Sequence, residues 1–309
     1  IPGVTHERMF VHVRNCYYQA HGEDVTVLNF ATNTSYVVDG IKVITQNEYE
    51  RNPGEYDIAV SHSANVRNHY RFLKKYEKRF KHLVFFFHGH ETSIFAKDYP
   101  KPYPFTSDGK FPKRQMQYAY DIFKLRVWRP FYIKLAYKSR FIFVSEHFYK
   151  RVQKNLKITP AELHNYCHVI NNSIGSFFET AEYDIKATKK YDFICIRSNL
   201  DAPKYGVDLV WELAKRHPDR KFLTIGKGEF FKHYQMPPNM VWLDHTLDHE
   251  EMLSYLNQSR CGLMLTRSDT QGVMACEMAS TGMPLISSDI EVCREILNVF
   301  PNVALVTND

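Results

Sequence analysis

Long hydrophobic runs, paired cysteines and a complete dinucleotide-binding glycine motif are all missing from this sequence. The longest uninterrupted apolar run, residues 83–87, has five residues, whereas a membrane-spanning helix needs ~20. The six cysteines are scattered, with no C-x-x-C pair and no metal-ligand spacing, which favours free thiols in a reducing compartment. Gly226 and Gly228 lack the third glycine of a G-x-G-x-x-G fingerprint. These absences argue against an integral membrane protein and against a disulfide-stabilised secreted domain.

The residues that are present predict a folded chain with two domains. The 309 residues are 44% hydrophobic and 24% charged, close to the globular average, and a domain takes about 150 residues. Apolar residues at helical spacing between positions 5 and 21 predict a helix. Short β-branched or aromatic runs, each followed by a stretch able to form a helix, predict strands at residues 25–28, 56–60, 82–87 and 141–144.

The same alternation returns after a polar, lysine-rich connection at residues 181–190. It predicts strands 191–196, 221–225, 240–243, 262–265 and 284–287, and helices 207–216, 250–258 and 273–280. We therefore predict an α/β protein of two Rossmann-like, doubly wound parallel-sheet domains, residues 1–172 and 173–309, that face a cleft. Because the chain starts at Ile1 and stops just after a predicted strand, we also expect it to be truncated at both ends.

The segment from Asp269 to Pro284 carries the clearest site pattern. A strand ends at residue 265, a polar loop contains Asp269, and a helix is predicted to begin after Gly272. The amides of Gly272, Val273 and Met274 would be free at that helix start and would form an anion site. Glu277, about one turn further on, is placed to accept both hydroxyls of a ribose. The alternative is that Glu277 only caps the helix or faces solvent.

These residues resemble the family 4 retaining glycosyltransferases, which have the two-domain GT-B fold and build bacterial surface polysaccharides. The family carries a Glu-x7-Glu motif and a Gly-x-Pro helix stop; here Asp269 takes the place of the first Glu, Glu277 is the second, and Gly282 and Pro284 follow. The resemblance implies a nucleotide-sugar donor, retention of configuration and no metal. It implies that Asp269 reaches a donor-sugar hydroxyl.

Other segments extend the resemblance over nearly the whole chain. Gly3 precedes the first helix, like the glycine loop of the family, and Gly226 begins a Gly-Lys-Gly-Glu turn similar to the family's donor-side turn. His88 stands at the end of a strand, where the family places a histidine that faces the cleft. The resemblance implies that His88 contacts the donor sugar or the acceptor and that Gly3 and Gly226 adjoin the donor.

Arg197 and Lys204 follow directly after a predicted strand, where a ligand of the second domain would lie. Positioned cations stabilise the negative charge that develops on a departing diphosphate. The segment resembles the family's Arg to Lys-Gly segment, which implies a catalytic role for both cations. The alternative is a pair of exposed cations on a loop, with Arg267 as a nearby substitute.

A metal site has little support. His88 and His90 have no third ligand at a suitable spacing. Asp289-x-Glu291 follows a strand and is similar to the metal-binding Asp-x-Asp of single-domain glycosyltransferases, but it lies late in the chain. We therefore expect no metal and no cofactor.

Residues 111–140 hold eight basic residues, one acidic residue and eight aromatic residues, although the net charge of the chain is only +6. Basic residues attract anionic lipids, and aromatic rings settle at headgroup depth. The stretch predicts attachment to an anionic membrane surface through Lys124, Arg126, Trp128, Arg129 and Lys134. The alternatives are an ordinary solvated helix and nucleic-acid binding, but no nucleic-acid recognition module accompanies the stretch.

The sequence thus predicts a retaining, metal-independent hexosyltransferase that moves a sugar from a nucleotide-sugar donor to a glycan or lipid-linked glycan acceptor. We expect a cytoplasmic protein, peripheral on the inner face of the cell membrane. The alternatives are a nucleotide-sugar epimerase or hydrolase of the same fold, and a non-catalytic partner that binds membrane or glycan.

Overall fold

The computed structural model describes residues 9–107 and 110–308, so Gly3 lies outside the described residues. The strands of the first half are β1 (Thr26–Leu28), β2 (Tyr36–Val38), β3 (Ile41–Ile44), β4 (Ile58–His62), β5 (His82–Phe87), β6 (Ser139–Phe143) and β7 (Cys167–Val169). Strands β4 to β7 form one parallel sheet in sequence order. In a smaller sheet, β3 lies between β1, which is parallel to it, and β2, which is antiparallel to it.

The helices of the first half cover these sheets. They are α1 (Met9–Ala20), α2 (Gln46–Arg51), α3 (Arg71–Tyr76), α4 (Phe95–Asp98), α5 (Lys113–Leu135) and α6 (Glu146–Leu156). The apolar run in β5 lies in the core of this half, as expected for a central parallel strand that is covered on both faces. The Tyr132 ring of α5 packs edge-on against Phe85 of β5, with centroids 4.8 Å apart, and stacks on Trp128.

Helix α5 packs one buried face against this core. Two residues predicted to bind the membrane, Trp128 and Lys124, lie on that face, so the prediction is wrong for them. Trp128 is only 1% exposed and Lys124 only 7%, so neither side chain can meet a lipid headgroup. Residues spaced three and four apart share one face of a helix, and this face belongs to the core. Arg126 and Lys134 are exposed on other faces. Arg129 is half-buried and pairs with Glu162 at 2.6 Å.

The second half contains a six-stranded, all-parallel sheet. Its strands are β8 (Tyr191–Asn199), β9 (Phe222–Lys227), β10 (Met240–Leu243), β11 (Ser259–Met264), β12 (Leu285–Ser288) and β13 (Val303–Val306). They lie in the order β10-β9-β8-β11-β12-β13. The order reverses between β8 and β11, which opens a crevice at the carboxyl ends of these two strands.

The helices of this half are α7 (Ser176–Thr180), α8 (Val207–Arg216), α9 (Phe230–His233), α10 (His249–Asn257), α11 (Val273–Ser280) and α12 (Glu291–Leu297). The predicted fold of two Rossmann-like parallel-sheet units is confirmed. The structure gives helices α8 and α11 and strand β10 the predicted bounds. The boundary between residues 172 and 173 stays a prediction; it falls in the segment between β7 and β8. Among the described residues, no helix combines the length and apolar character that a bilayer crossing requires.

Hydrogen bonds join the two halves around the loop at residues 266–272. Ser145 Oγ donates to the Thr270 carbonyl at 2.6 Å. The backbone N–H of Asn172 donates to Gln271 Oε1, and Gln271 Nε2 donates back to the Asn172 carbonyl. The loop that carries Asp269 is therefore held against the first half.

A second set of contacts lies at the start of α6. The carboxylate of Glu295, on α12, accepts hydrogen bonds from the backbone N–H groups of Glu146 and His147, at 2.6 and 2.8 Å. His147 Nδ1 also lies 2.8 Å from the Glu291 carboxylate. The first turn of a helix in one half is thus completed by carboxylates of the other half.

Candidate active site

Arg197 lies in the last part of β8, beside the point where the strand order reverses. Its side chain is buried, and its Nη2 donates to the Leu265 carbonyl at 2.7 Å. The guanidinium carbon lies 5.1 Å from the centroid of the Tyr205 ring, while Nε is buried without a hydrogen-bond partner in the described chain. Burial excludes the alternative of an exposed loop cation for Arg197.

Lys204 lies on a single 3-10 turn, Pro203–Tyr205, that precedes α8. Its Nζ lies 4.6 Å from the centroid of the Tyr205 ring and 5.4 Å from that of Tyr99, which belongs to the first half. Burial lowers the pKa of Lys204, but Tyr205, Asp269 and Tyr99 together raise it by more, so its pKa lies above the ordinary value. Lys204 is therefore a cation held near two aromatic rings, and the charge of Asp269 favours its protonated form.

Asp269 lies on the loop after β11, near enough to Lys204 for its charge to raise the pKa of that cation. The charges of Asp269 and Lys204 interact, and Asp269 Oδ1 accepts a hydrogen bond from the N–H of Thr270 at 2.7 Å. A methyl group added at Gly272 would lie 3.7 Å from Asp269 Oδ2, so the helix start and this carboxylate are close neighbours. The structure thus brings together Arg197, Lys204, Asp269 and Gly272, which sequence reasoning selected from separate segments.

Helix α11 begins immediately after this loop. Gly272 has φ +81°, a left-handed conformation that favours glycine, and no side chain caps the helix. The N–H groups of Val273 and Met274 in the first turn therefore receive no side-chain cap, and their binding of an anion stays a prediction.

Glu277 lies in the second turn of α11 and is half-buried. Burial raises the pKa of Glu277 to about 7. Burial, and to a lesser extent the charges of Glu277 and Asp269, raise the pKa of the Cys276 thiol to about 12. The arrangement excludes a helix cap and a fully solvated side chain for Glu277.

Gly226, a predicted donor residue, has a packing role. It has φ +147°, and a Cβ at this position would lie 1.8 Å from the Arg197 carbonyl oxygen. Only glycine lets the end of β9 pass the backbone of β8 so closely. Trp242 Nε1 donates to the Gly226 carbonyl at 2.9 Å. Contact with a donor stays a prediction for Gly226.

His88 lies on a loop after β5, across from the Asp269 loop. Its Nε2 is 3.0 Å from Nδ1 of His62, and its ring packs between Phe86 and Phe10, with centroids 4.9 and 4.6 Å away. A Cβ at Gly89 would lie 3.3 Å from the Thr270 methyl group, so the two loops touch.

Glu91 and Lys124 hold this loop in place. The buried carboxylate of Glu91 accepts hydrogen bonds from the N–H groups of His88 and Gly89. Lys124 Nζ donates to the His90 carbonyl at 2.8 Å and to Asp121 Oδ1 at 2.6 Å. Lys124, predicted to bind lipid, is therefore a positioning residue for the loop of His88.

Both carboxylates of the rival metal motif already have side-chain partners. Asp289 pairs with Arg294, and Glu291 pairs with His147. Arg267, the substitute cation of the sequence argument, forms a bidentate pair with Asp208 in which both distances are 2.7 Å.

Two cavities adjoin the cluster. A cavity of about 640 Å³ is lined by residues of both halves, among them Tyr99, Arg267 and Asp269. A smaller one, of about 200 Å³, lies between α5 and the His90 loop and is lined by Gln117, Tyr120 and, again, Tyr99. Tyr99 lines both cavities, and its ring centroid lies 5.4 Å from Lys204 Nζ. Both cavities therefore lead to Lys204.

Sequence reasoning missed Tyr99 and the role of Tyr205. Both rings contact the Lys204 ammonium group. The proximity of Tyr205 to Lys204 is a sequence signal, whereas the contact with Tyr99 spans 105 residues and has none.

The architecture and the position of this crevice define a fold class, the GT-B fold of glycosyltransferases. No protein-family model and no curated protein matches the sequence. Among solved structures, the chain is similar to sucrose-phosphate synthase from Thermosynechococcus elongatus, with TM-score 0.67 and 11% identity over 97% of this chain and 80% of that one. It is also similar to WaaG, a glycosyltransferase involved in lipopolysaccharide biosynthesis, with TM-score 0.61 and 10% identity over 97% and 82% of the chains. The catalytic domain of starch synthase IV from Arabidopsis thaliana, bound to ADP and acarbose, has TM-score 0.55 and 10% identity over 92% and 80%.

Proposed function

We propose that the protein is a retaining, metal-independent glycosyltransferase that moves a hexosyl group from a nucleotide-sugar donor to a glycan or lipid-linked glycan acceptor. One observation carries the proposal: Arg197, Lys204, Asp269 and the free start of α11 converge where the strand order of a GT-B second half reverses. Ligands of open α/β sheets bind at this point. The ADP in the starch synthase structure supports a nucleoside diphosphate as the ligand.

The chemistry follows from the charges. Breaking the bond between sugar and diphosphate leaves negative charge on the departing phosphate. The buried Arg197 and the half-buried Lys204 stabilise that charge, and the N–H groups of Val273 and Met274 add hydrogen bonds. Retention is proposed from the family resemblance: the departing phosphate assists deprotonation of the incoming hydroxyl on the same face. Metal independence is proposed because Asp289 and Glu291 already pair with Arg294 and His147.

The reaction itself is tested with labelled nucleotide sugars. We first select the donor by protection of the chain against thermal unfolding, since a ligand of the native state raises the melting temperature. Sugar transfer that requires an added acceptor supports the proposal. Free sugar or an isomerised nucleotide sugar produced without acceptor would instead identify a hydrolase or epimerase, and binding without turnover would identify a non-catalytic partner.

Glu277 is expected to make nucleotide binding depend on pH. If the ionised carboxylate accepts the ribose hydroxyls, the ionised fraction of a group with pKa about 7 rises from about one tenth at about pH 6 to nine tenths at about pH 8. Because burial raises the pKa, binding is weak below it and strengthens as the pH rises. Calorimetry should show about tenfold tighter binding of the nucleoside diphosphate at the higher pH.

The matched control is Glu277→Gln, which keeps the size of the side chain. It should weaken binding at about pH 8 by roughly 10- to 100-fold, because hydrogen bonds to a charged acceptor contribute about 1.5–3 kcal/mol. Titration of the diphosphate itself acts equally on both proteins and cancels in the comparison. Equal affinities of the two proteins at the higher pH would remove Glu277 from the site.

We propose attachment to the inner, cytoplasmic face of the cell membrane through the outer face of α5. Met116, Tyr120 and Phe123 are 67%, 44% and 53% exposed and, at spacings of four and three, share one side of the helix. Arg126 and Lys134 are exposed near the same side. We propose that these five exposed residues contact the lipid, in place of the buried Trp128 and Lys124. Tyr120 also lines the smaller cavity, so a lipid-linked acceptor would enter from the face that meets the bilayer.

Replacing Phe123 with Ala and both Arg126 and Lys134 with Glu should release the protein from acidic vesicles. Each cation near an anionic surface contributes on the order of 1 kcal/mol, and salt should weaken the attachment. Co-sedimentation with vesicles of acidic and of neutral lipid measures it. Arg129→Ala is the control, because Arg129 pairs with Glu162. Equal sedimentation with both lipids, or unchanged binding of the triple variant, would leave α5 as an ordinary solvated helix.

A further inference from the structure

Three side chains with different metal-binding atoms meet at the middle of α1. His12 Nε2, Cys16 Sγ and a carboxylate oxygen of Asp39 all lie within 4.8 Å of one another. Within the part of the chain that the structure describes, this is the only group of three or more His, Cys, Asp or Glu side chains with that geometry. The group takes no part in the proposed sugar transfer. No sequence motif indicates it, because Asp39 is 23 residues from Cys16.

The backbone holds these three side chains in position. His12 and Cys16 are four residues apart on α1 and so share one face of the helix. Asp39 and Gly40 form the tight turn between β2 and β3 and both have positive φ, 48° and 77°, as in the primed turns of hairpins. Gln19, one turn after Cys16, donates a hydrogen bond to the Gly40 carbonyl at 3.1 Å, which ties the turn to the helix.

The distances suit a tetrahedral ion. Zinc bonds of about 2.0 Å to nitrogen and oxygen and 2.3 Å to sulfur place neighbouring N and S ligands about 3.6 Å apart and N and O ligands about 3.4 Å apart. His12 Nε2 lies 3.5 Å from Cys16 Sγ and 2.7 Å from Asp39 Oδ2. Only the Asp39 oxygen has to move outward, and its side chain is 66% exposed and able to do so.

We propose that His12, Cys16 and Asp39 bind a zinc ion, with a water molecule at the fourth position. The ligand set combines a thiolate, an imidazole and a carboxylate, a mixture that suits Zn²⁺ and not Mg²⁺ or Ca²⁺. On binding, the Cys16 thiol releases its proton to solvent, and the thiolate and carboxylate together neutralise the two charges of the ion. The ion links α1 to the β2–β3 hairpin and adds stability to the first half.

Cobalt(II) is the probe, because thiolate-bound Co²⁺ absorbs in the near ultraviolet. Titration of the metal-free, reduced full chain should give this absorption with an end point at one equivalent, and Zn²⁺ should remove it by displacement. Zn²⁺ should also raise the melting temperature. Absence of the absorption in the wild-type chain would overturn the proposal and leave a hydrogen-bonded trio only.

Variants of the proposed ligands and of a control cysteine test which side chains bind the metal. Cys16→Ser should abolish the absorption, whereas Cys167→Ser, at another partly buried free cysteine, should leave it unchanged. Asp39→Asn keeps a hydrogen-bond acceptor for His12 but removes the charge, and should weaken Zn²⁺ binding at least tenfold. Unchanged Zn²⁺ affinity in Asp39→Asn, or absorption that persists in Cys16→Ser, would overturn the three-ligand site. None of these readouts depends on sugar transfer.

Discussion

Lys204→Ala is expected to lower the turnover of the nucleotide-sugar donor by about 100-fold or more while changing donor affinity much less. The half-buried ammonium group lies 5.4 Å from the centroid of the Tyr99 ring and 4.6 Å from that of the Tyr205 ring, which partly shield it from water. A cation in such a setting acts most strongly on charge that develops as the bond breaks, because water screens it weakly. Steady-state kinetics with saturating acceptor, together with calorimetric donor binding, separates the two effects.

Lys221→Ala is the matched control for this experiment. Lys221 directly precedes β9, at the opposite edge of the sheet from the site, and its side chain is exposed. We expect its turnover to stay close to that of the wild type. Turnover of Lys204→Ala within a few-fold of wild type, in a folded protein, would remove Lys204 from the group that stabilises the leaving phosphate.

Lys124→Met is expected to destabilise the protein by about 3–5 kcal/mol, because it leaves the carboxylate of Asp121 charged and unpaired in the core. Asp121 is fully buried and accepts hydrogen bonds from Lys124, Gln117 and the N–H of Phe95. Urea unfolding measures the decrease in the free energy of unfolding. Lys134→Met, on the exposed side of the same helix, should change the free energy of unfolding by less than about 0.5 kcal/mol.

The double variant Asp121→Leu with Lys124→Met tests the cause. Replacing both members of a buried ion pair with apolar residues removes the unpaired charge, so much of the lost stability should return. A double variant less stable than Lys124→Met would show that the charge is not the reason. Lys124 also donates a hydrogen bond to the His90 carbonyl and so positions the loop of His88. Donor turnover of the double variant should therefore stay below that of the wild type even when its stability returns.

The strands and the three helices α8, α10 and α11 of the second half followed from the sequence because their apolar patterns are local, whereas the shorter helices α7, α9 and α12 were missed. Helix α8 and helix α11 each begin after a glycine and follow a regular apolar pattern, which fixed their bounds. The small sheet of β1 to β3 was missed beyond its first strand, since β2 and β3 have only three and four residues each. Pairing between such short strands depends on the core below them and not on their own composition.

The wrong prediction that Trp128 and Lys124 of α5 bind lipid had a different origin. Charge and aromatic content were counted along residues 111–140 without regard to direction around the helix. Leu125, Trp128, Tyr132 and Leu135 repeat at three and four residues and mark a core stripe that the sequence already contains. The buried position of Lys124 has no such signal, because its partner Asp121 would also be expected at the surface.

The site was predictable where its parts lie at the ends of neighbouring strands. Arg197 lies near the end of β8 and Asp269 follows β11, and because these two strands pair directly, the topology alone brings the two residues close. Tyr99 and the loop of Glu91 come from the first half, and their place depends on how the two halves meet, which no local pattern encodes.

The start of α6 links the movement of the two halves to local folding. Ser145 caps the helix by accepting the N–H of Phe148 and at the same time donates to Thr270, while Glu295 accepts the N–H groups of Glu146 and His147. Any rotation that separates the halves exchanges the bonds to Thr270 and Glu295 for water and loosens this first turn. Fast amide hydrogen exchange at residues 146 and 147 would therefore report a separation of the two halves, and slow exchange would report that they stay together.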